Sequence, residues 1–198
     1  MIVSSYTEAT PNPETMKFVL NRMLYAQNSA DFPSRSDAEG ASDLATALFD
    51  TYDFVKGVFI MNNFVTITKT PEAEWFEVVP EIREYIRSYV AAEKSIIDVA
   101  VLQERVQNST QHISNQIREN DPEMVQKIKE LLTKYVQPAV EMDGGSIVFR
   151  SYKDGIVRLG MQGACSGCPS STVTLKSGIE GLLKRMIPEV QGVEAEML

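Results

Sequence analysis

The sequence predicts an α+β protein of two small domains. A mixed α/β domain fills residues 1–91, a polar linker with some helical character covers 92–120, and an α-β-β-α-β domain fills 121–198. Three observations carry this. A chain of 198 residues suits one mid-sized domain or two small ones. Apolar spacing alternates between strand-like and helix-like stretches in both halves. Charge is uneven: residues 1–120 hold 17 acidic and 10 basic side chains, whereas 121–198 hold 10 and 9.

The N-terminal elements follow in order. "MIVSSYTEA" and "MKFVLNRML" are β-prone, and "TPNPET" between them, with two prolines, is a rigid reversal. "DFPSRSDAEG" is polar and loop-like. "ASDLATALFDTY" places Leu44, Ala47, Leu48 and Tyr52 at helical spacing. "VKGVFIMNNFVTITKT" is a hairpin about Asn62-Asn63, because Asn tolerates positive φ in a tight turn. "WFEVVPEIREYIRSYVAAE" is a helix with Trp75, Val78, Val79, Ile82, Ile86, Tyr89 and Val90 on one face; Pro80 kinks it or sits in the first turn of its main part. The second half of 92–120 is rich in Gln, Asn and Ser, as in a linker.

In the C-terminal domain, Asp121 is expected to cap a helix with Pro122 at its first position, Val125, Ile128, Leu131, Leu132, Tyr135 and Val136 on one face, and Pro138 as its end. "MDGGS" is a turn, Asp154-Gly155 reverses a hairpin of "SIVFRSY" and "IVRLGMQ", and "PSSTVTLKSGIEGLLKRMI" is a second helix. "VQGVEAEML" is an edge strand. The pattern is helices laid on a small sheet.

Composition excludes several classes. A net charge of −8 disfavours nucleic acid, whose phosphates need clustered Lys and Arg. No apolar run approaches the roughly 18 residues that span a bilayer. "MIVSSYTEATPNPETM" lacks the basic and apolar regions of a secretory signal and has no Arg before Arg22, which argues against an intact organellar presequence. Two cysteines make no disulfide framework, so a reducing, cytoplasmic compartment is expected. No Ser/His/Asp set, phosphate loop or catalytic carboxylate pair is evident.

The chemistry gathers at "GACSGCPSS", which holds both cysteines, Cys165 and Cys168, spaced C-x-x-C. Four readings compete. A dithiol–disulfide oxidoreductase would use the depressed thiol pKa of a helix N-terminus, but a hairpin precedes the pair and only 30 residues follow it. Structural zinc needs four N or S ligands, and the one histidine, His112, falls in the linker. The spacing can also be accidental. Iron–sulfur clusters take four thiolates, and two chains about a two-fold axis would supply them. Gly163 and Gly167 would then let backbone N–H groups approach the sulfurs, and the following helix would point its positive end at an anionic cluster.

"VQPAVEMDGGSIVF…IVRLGMQGACSGCPSSTVTLKSGIEGLLKRMIPEV" resembles the NifU C-terminal, or Nfu, domain of iron–sulfur scaffold and carrier proteins. The carrying features are Asp143-Gly144-Gly145, the strand into Gly163–Ser171 and the helix before Pro188. "TEATPNPETMKFVLNRML", "VKGVFIMNNFVTITK" and "WFEVVPEI" resemble the Nfu N-terminal domain. The resemblance implies a non-enzymatic carrier. It implies a labile [4Fe–4S] cluster with Cys165 and Cys168 as ligands, shared across a homodimer, received from upstream assembly proteins and delivered to apo iron–sulfur clients. A [2Fe–2S] cluster also takes four thiolates. No nucleic-acid or membrane partner is expected.

Asp143-Gly144-Gly145 reads first as a turn needing positive φ and second as the back wall of the cysteine loop. Met161 reads as packing, and Lys176, Lys184 and Arg185 as a solvated helix face.

Overall fold

The computed structural model describes residues 2–108, 115–166 and 169–197. The chain divides into two compact units, Met1–Asn108 and Ser109–Leu198. Both mix helices and strands, so the protein is α+β. His112, Gly167 and Cys168 lie outside the described residues.

The first unit is a five-stranded antiparallel sheet of order β1-β2-β5-β4-β3, from β1 (Ser5–Ala9), β2 (Thr15–Leu20), β3 (Tyr25–Phe32), β4 (Val55–Asn62) and β5 (Phe64–Lys69). The reversal between β1 and β2 is built on buried Asn12: its Oδ1 accepts from Glu14 N at 3.0 Å and its carbonyl accepts from Thr15 N at 3.0 Å. The β4–β5 turn sits at Asn62, whose φ of 47° falls where Asn is tolerated. Helices α1 (Arg35–Ala38), α2 (Asp43–Thr51) and α3 (Trp75–Ala91) join the sheet's core face. On α3, Ile82, Ile86 and Val90 are buried at i, i+4, i+8, and Trp75, Val78, Val79 and Tyr89 pack partly against the same core. Fully burying Ile82 and Ile86 contributes about 1.5–3 kcal/mol each. Pro80 lies inside this one helix. A smaller buried cluster of Val19, Phe59, Met61 and Phe64 lies apart from that core.

Strand β3 departs from the sequence expectation. "YAQNSADF" has weak strand propensity and no clean alternation, yet residues 29–32 pair with Val58–Met61 past a bulge, burying Ala30 and Phe32. Long-range pairing overrides local preference here.

Within the stretch read as a linker, α4 (Val99–Asn108) and the residues before it lie on the first unit. Ile96, Ile97, Val101 and Leu102 pack on its core. Ser42 Oγ donates to Ile96 O at 2.6 Å, Asp98 N donates to Ala41 O at 2.8 Å, and the Arg105 guanidinium donates to the carbonyls of Asp37 and Glu39.

The second unit holds a three-stranded sheet: β6 (Gly145–Lys153) antiparallel to β7 (Ile156–Gly163), which runs parallel to β8 (Gly192–Met197). Asp154 and Gly155, both with positive φ (52° and 78°), make the two-residue hairpin turn. Ahead of the sheet run α5 (Glu123–Leu131), a π-helical turn (Leu132–Val136) and α6 (Gln137–Met142); α7 (Pro169–Met186) connects β7 to β8. Ile128, Leu132, Val136 and Val140, with Ile179, Leu183 and Ile187, close the core over Ile147, Phe149, Val157, Leu159 and Met161.

Two expectations for the first helix of this unit are corrected. Asp121 is not the cap: Pro122 holds that position, no side chain caps the helix, and Asp121 Oδ2 instead binds Arg118 N and Lys129 Nζ. Nor does Pro138 end the helix, which continues to Met142. Buried residues recur here every four positions, from Ile128 to Val140. In an α-helix each such step drifts about 40°, so Val140 would leave the core face. The wider π turn takes up most of that drift. It also restarts the α-helical register at Gln137, so Pro138 sits in a first turn, where its missing N–H matters little.

Candidate functional site

Strand β7 delivers the chain to the cysteine loop. Gly163 ends the strand with φ of 60°, which turns the backbone out of the sheet. Hydrogen bonds then fix the turn: Cys165 N donates to Gln162 O at 3.3 Å, and Ser166 donates to Gly163 O from both N (3.1 Å) and Oγ (2.9 Å). Ala164 N donates to Gly144 O at 3.2 Å, which ties the loop to the turn before β6.

That turn is the back wall. Gly144 takes φ of 82°, and Gly145 lies against the cysteine. A Cβ at Gly145 would fall 2.6 Å from Cys165 Sγ, 2.7 Å from Gln162 O and 2.9 Å from Cys165 N. The two glycines thus fill both roles read from the sequence: one turns the chain, the other leaves room for the thiol. Spacing alone could not assign the second role, because it depends on the β6–β7 register that pairs Gly145 with Gly163.

Cys165 is 6% exposed and belongs to the hydrophobic core of its unit. Burial pushes its thiol pKa up to about 12, and the nearby Asp143 carboxylate pushes the same way. In this state the sulfur is a protonated thiol at neutral pH; it becomes a ligand or nucleophile only when the loop opens or a metal displaces the proton. Cys168, the other candidate ligand, lies outside the described residues, and α7 begins at the next residue, Pro169.

Met161 is 1% exposed and packs in the core, as its strand position suggests. Lys184 and Arg185 are exposed on α7, where Lys184 Nζ pairs with Glu180 Oε1 at 2.6 Å. Gln137 carries no motif, but its carboxamide reaches the Gly144-Gly145 turn: Nε2 donates to Glu141 Oε1 at 2.9 Å and to Ser146 Oγ at 3.1 Å. Among the described residues, no group of three or more His, Cys, Asp or Glu side chains could hold a metal ion. No helix among them is long and apolar enough to cross a membrane.

Two family models match the chain: "Scaffold protein Nfu/NifU N terminal" over residues 5–93 and "NifU-like domain" over 128–194. Among curated proteins, the chain is 43% identical over 189 residues to proteins named "NFU1 iron-sulfur cluster scaffold homolog, mitochondrial" from Drosophila ananassae and Drosophila willistoni. The matches cover 95% of this chain and 62% of each relative, so the chain spans less than two thirds of their length. A solution structure of a NifU-like protein from Saccharomyces cerevisiae aligns with a TM-score of 0.45 at 24% identity, covering 50% of this chain and 87% of that one. Carrying both matched domains in one polypeptide, the chain belongs to the Nfu/NifU scaffold family.

Proposed function

We propose that this protein is a non-enzymatic iron–sulfur carrier. It binds a labile [4Fe–4S] cluster through Cys165 and Cys168 of two copies of the chain, receives the cluster from upstream assembly proteins and passes it to apo-proteins. The observation that carries this reading is the thiol count. A cluster takes four thiolates, and this family member has two cysteines, both in the C-x-x-C that follows β7 in the sequence. A second copy of the loop completes the set. A [2Fe–2S] cluster would use the same four thiolates.

Cluster binding requires the loop to move, because a buried sulfur cannot reach an iron shared with another chain. Loops opened at small free-energy cost are suited to cargo that must later be released. A dithiol oxidoreductase would need the same opening and, besides it, a depressed thiol pKa, whereas burial pushes that of Cys165 up. The relatives named above are mitochondrial, whereas the sequence reading favoured the cytoplasm. What the site requires is a compartment that keeps thiols reduced.

The deciding experiment is anaerobic reconstitution with iron and sulfide, followed by native mass spectrometry. The expected species is two chains with one [4Fe–4S] cluster. Cys165→Ala and Cys168→Ala should each lose it. A cluster with unchanged spectra in Cys165→Ala, or brisk iron-independent insulin reduction by the wild type, would overturn the reading.

A further inference from the structure

We propose that Gln137 is a positioning residue for the cysteine loop, a carboxamide clamp that holds shut the turn on which Cys165 rests. The argument starts with the π turn. It ends at Gln137, whose N–H bonds Leu132 O in the wide register, and it sets the direction in which Gln137 leaves the helix. From there Nε2 spends both of its N–H donors across one short turn: on Glu141 Oε1, before Asp143-Gly144-Gly145, and on Ser146 Oγ, after it. One amide group therefore joins the two ends of the segment 141–146.

That segment touches the cysteine loop at two points. Gly144 O receives the Ala164 amide, and Gly145 leaves the space that Cys165 Sγ fills. Gly144, Gly145 and Ser146 are all buried, so the wall behind the sulfur is closely packed. Opening the loop to expose Cys165 breaks the Ala164–Gly144 bond and pulls the sulfur from its notch, and the clamp resists both by keeping the notch in shape. Gln137 pays for its place: its Oε1 is buried and finds no hydrogen-bond partner among the described residues. An orphaned acceptor is unfavourable. A leucine would avoid it, and the amide is kept where its two donors do work that an apolar side chain cannot.

The clamp would then set how readily Cys165 emerges to meet a cluster. Only this last step rests on the proposed function; the clamp itself is tested without iron.

The measurement is alkylation of Cys165 by iodoacetamide at one fixed pH, in a Cys168→Ser background so that a single thiol is read, from zero to low urea. Gln137→Leu removes both donors and should speed labelling about tenfold, the factor carried by roughly one net hydrogen bond. The rate should stay nearly independent of urea, because a local opening exposes little surface. Gln137→Glu loses the bond to Glu141 and sets two carboxylates side by side, so it too should label faster, although the Ser146 hydroxyl can turn to donate to it. Gln137→Glu with Glu141→Gln reverses donor and acceptor, and should return the rate to within about threefold of the parent. An unchanged rate in Gln137→Leu overturns the clamp. So does an acceleration that rises steeply with urea, which marks global unfolding, and so does a failure of the reversed pair to restore protection. If the clamp passes while the wild type assembles no cluster, the carrier reading falls and the clamp stands.

Discussion

The sulfur of Cys165 occupies the space that a side chain at Gly145 would need, with 2.6 Å between Sγ and the position of a Cβ there. The same Cβ would also meet backbone, Gln162 O at 2.7 Å and Cys165 N at 2.9 Å, which cannot swing aside as a side chain can. Gly145→Ala should therefore destabilise the second unit by about 1–3 kcal/mol and displace the cysteine loop. Gly144→Ala strains its own φ of 82°, costing about 1–2 kcal/mol. Urea melts and alkylation kinetics separate the two. If Gly145→Ala and Gly144→Ala label Cys165 at the same rate, the steric account is wrong.

Strong local signals marked the elements well. Asn62 and Asp154-Gly155 announced their turns, and the i, i+4 spacing of Ile82, Ile86 and Val90 announced α3, because turn chemistry and helical period are short-range properties. Strand β3 escaped because its partner lies some thirty residues on, in β4, and its own residues favour no strand. The helix through Pro138 escaped because a π turn is a solution to packing that leaves no residue signature. At the candidate site, the C-x-x-C spacing singles out Cys165 as a candidate ligand. Gln137 was not, because its importance lies in what Glu141 and Ser146 do beside it.

Ser42 shows how a cap can serve two elements. Its Oγ accepts from Ala45 N at 3.1 Å, capping α2, and donates to Ile96 O at 2.6 Å, holding the chain that leads to α4. Ser42→Ala should cost about 1–2 kcal/mol in the first unit, at or above the usual value for a cap, because a partly buried carbonyl also loses its donor. Hydrogen exchange should accelerate in both α2 and 96–102. Acceleration in α2 alone would mean that the second bond contributes nothing.

Lys129 is 3% exposed, with its ammonium 2.8 Å from Asp121 Oδ2, 3.0 Å from Gln116 O and 5.4 Å from the Phe149 ring centroid. The Lys129 hydrogen bond, helped by the Arg118 amide, holds the Asp121 carboxyl below its ordinary pKa. A carboxylate lowered in the folded state adds stability that is fully present above its unfolded pKa of about 3.9, and that stability is lost as pH falls through the lowered value. Asp121→Asn leaves the Lys129 cation without its counter-ion and should cost about 1–3 kcal/mol at pH 7. Its stability should also fall less steeply than that of the wild type below pH 4. Urea melts at pH 7 and pH 3 check both; an equal acid dependence in the two proteins would remove Asp121 from the acid response.

Strand β6 lies at the edge of its sheet, and Asn115 closes part of that edge. The Asn115 carboxamide copies a neighbouring strand: Nδ2 donates to Ile147 O at 2.7 Å, and Oδ1 accepts from Phe149 N at 2.7 Å. Open edges invite pairing with other chains, and a side-chain amide satisfies them without offering an edge of its own. Asn115→Leu strands both backbone groups and should lower stability by about 1–3 kcal/mol. Asn115→Asp still accepts from Phe149 N but cannot donate to Ile147 O, so it should lose roughly half as much. The telling readout is association: light scattering of apo-protein against concentration should rise for Asn115→Leu before any loss of fold is visible by circular dichroism. If scattering tracks unfolding alone, Asn115 is a local stabiliser and the edge is protected by other means.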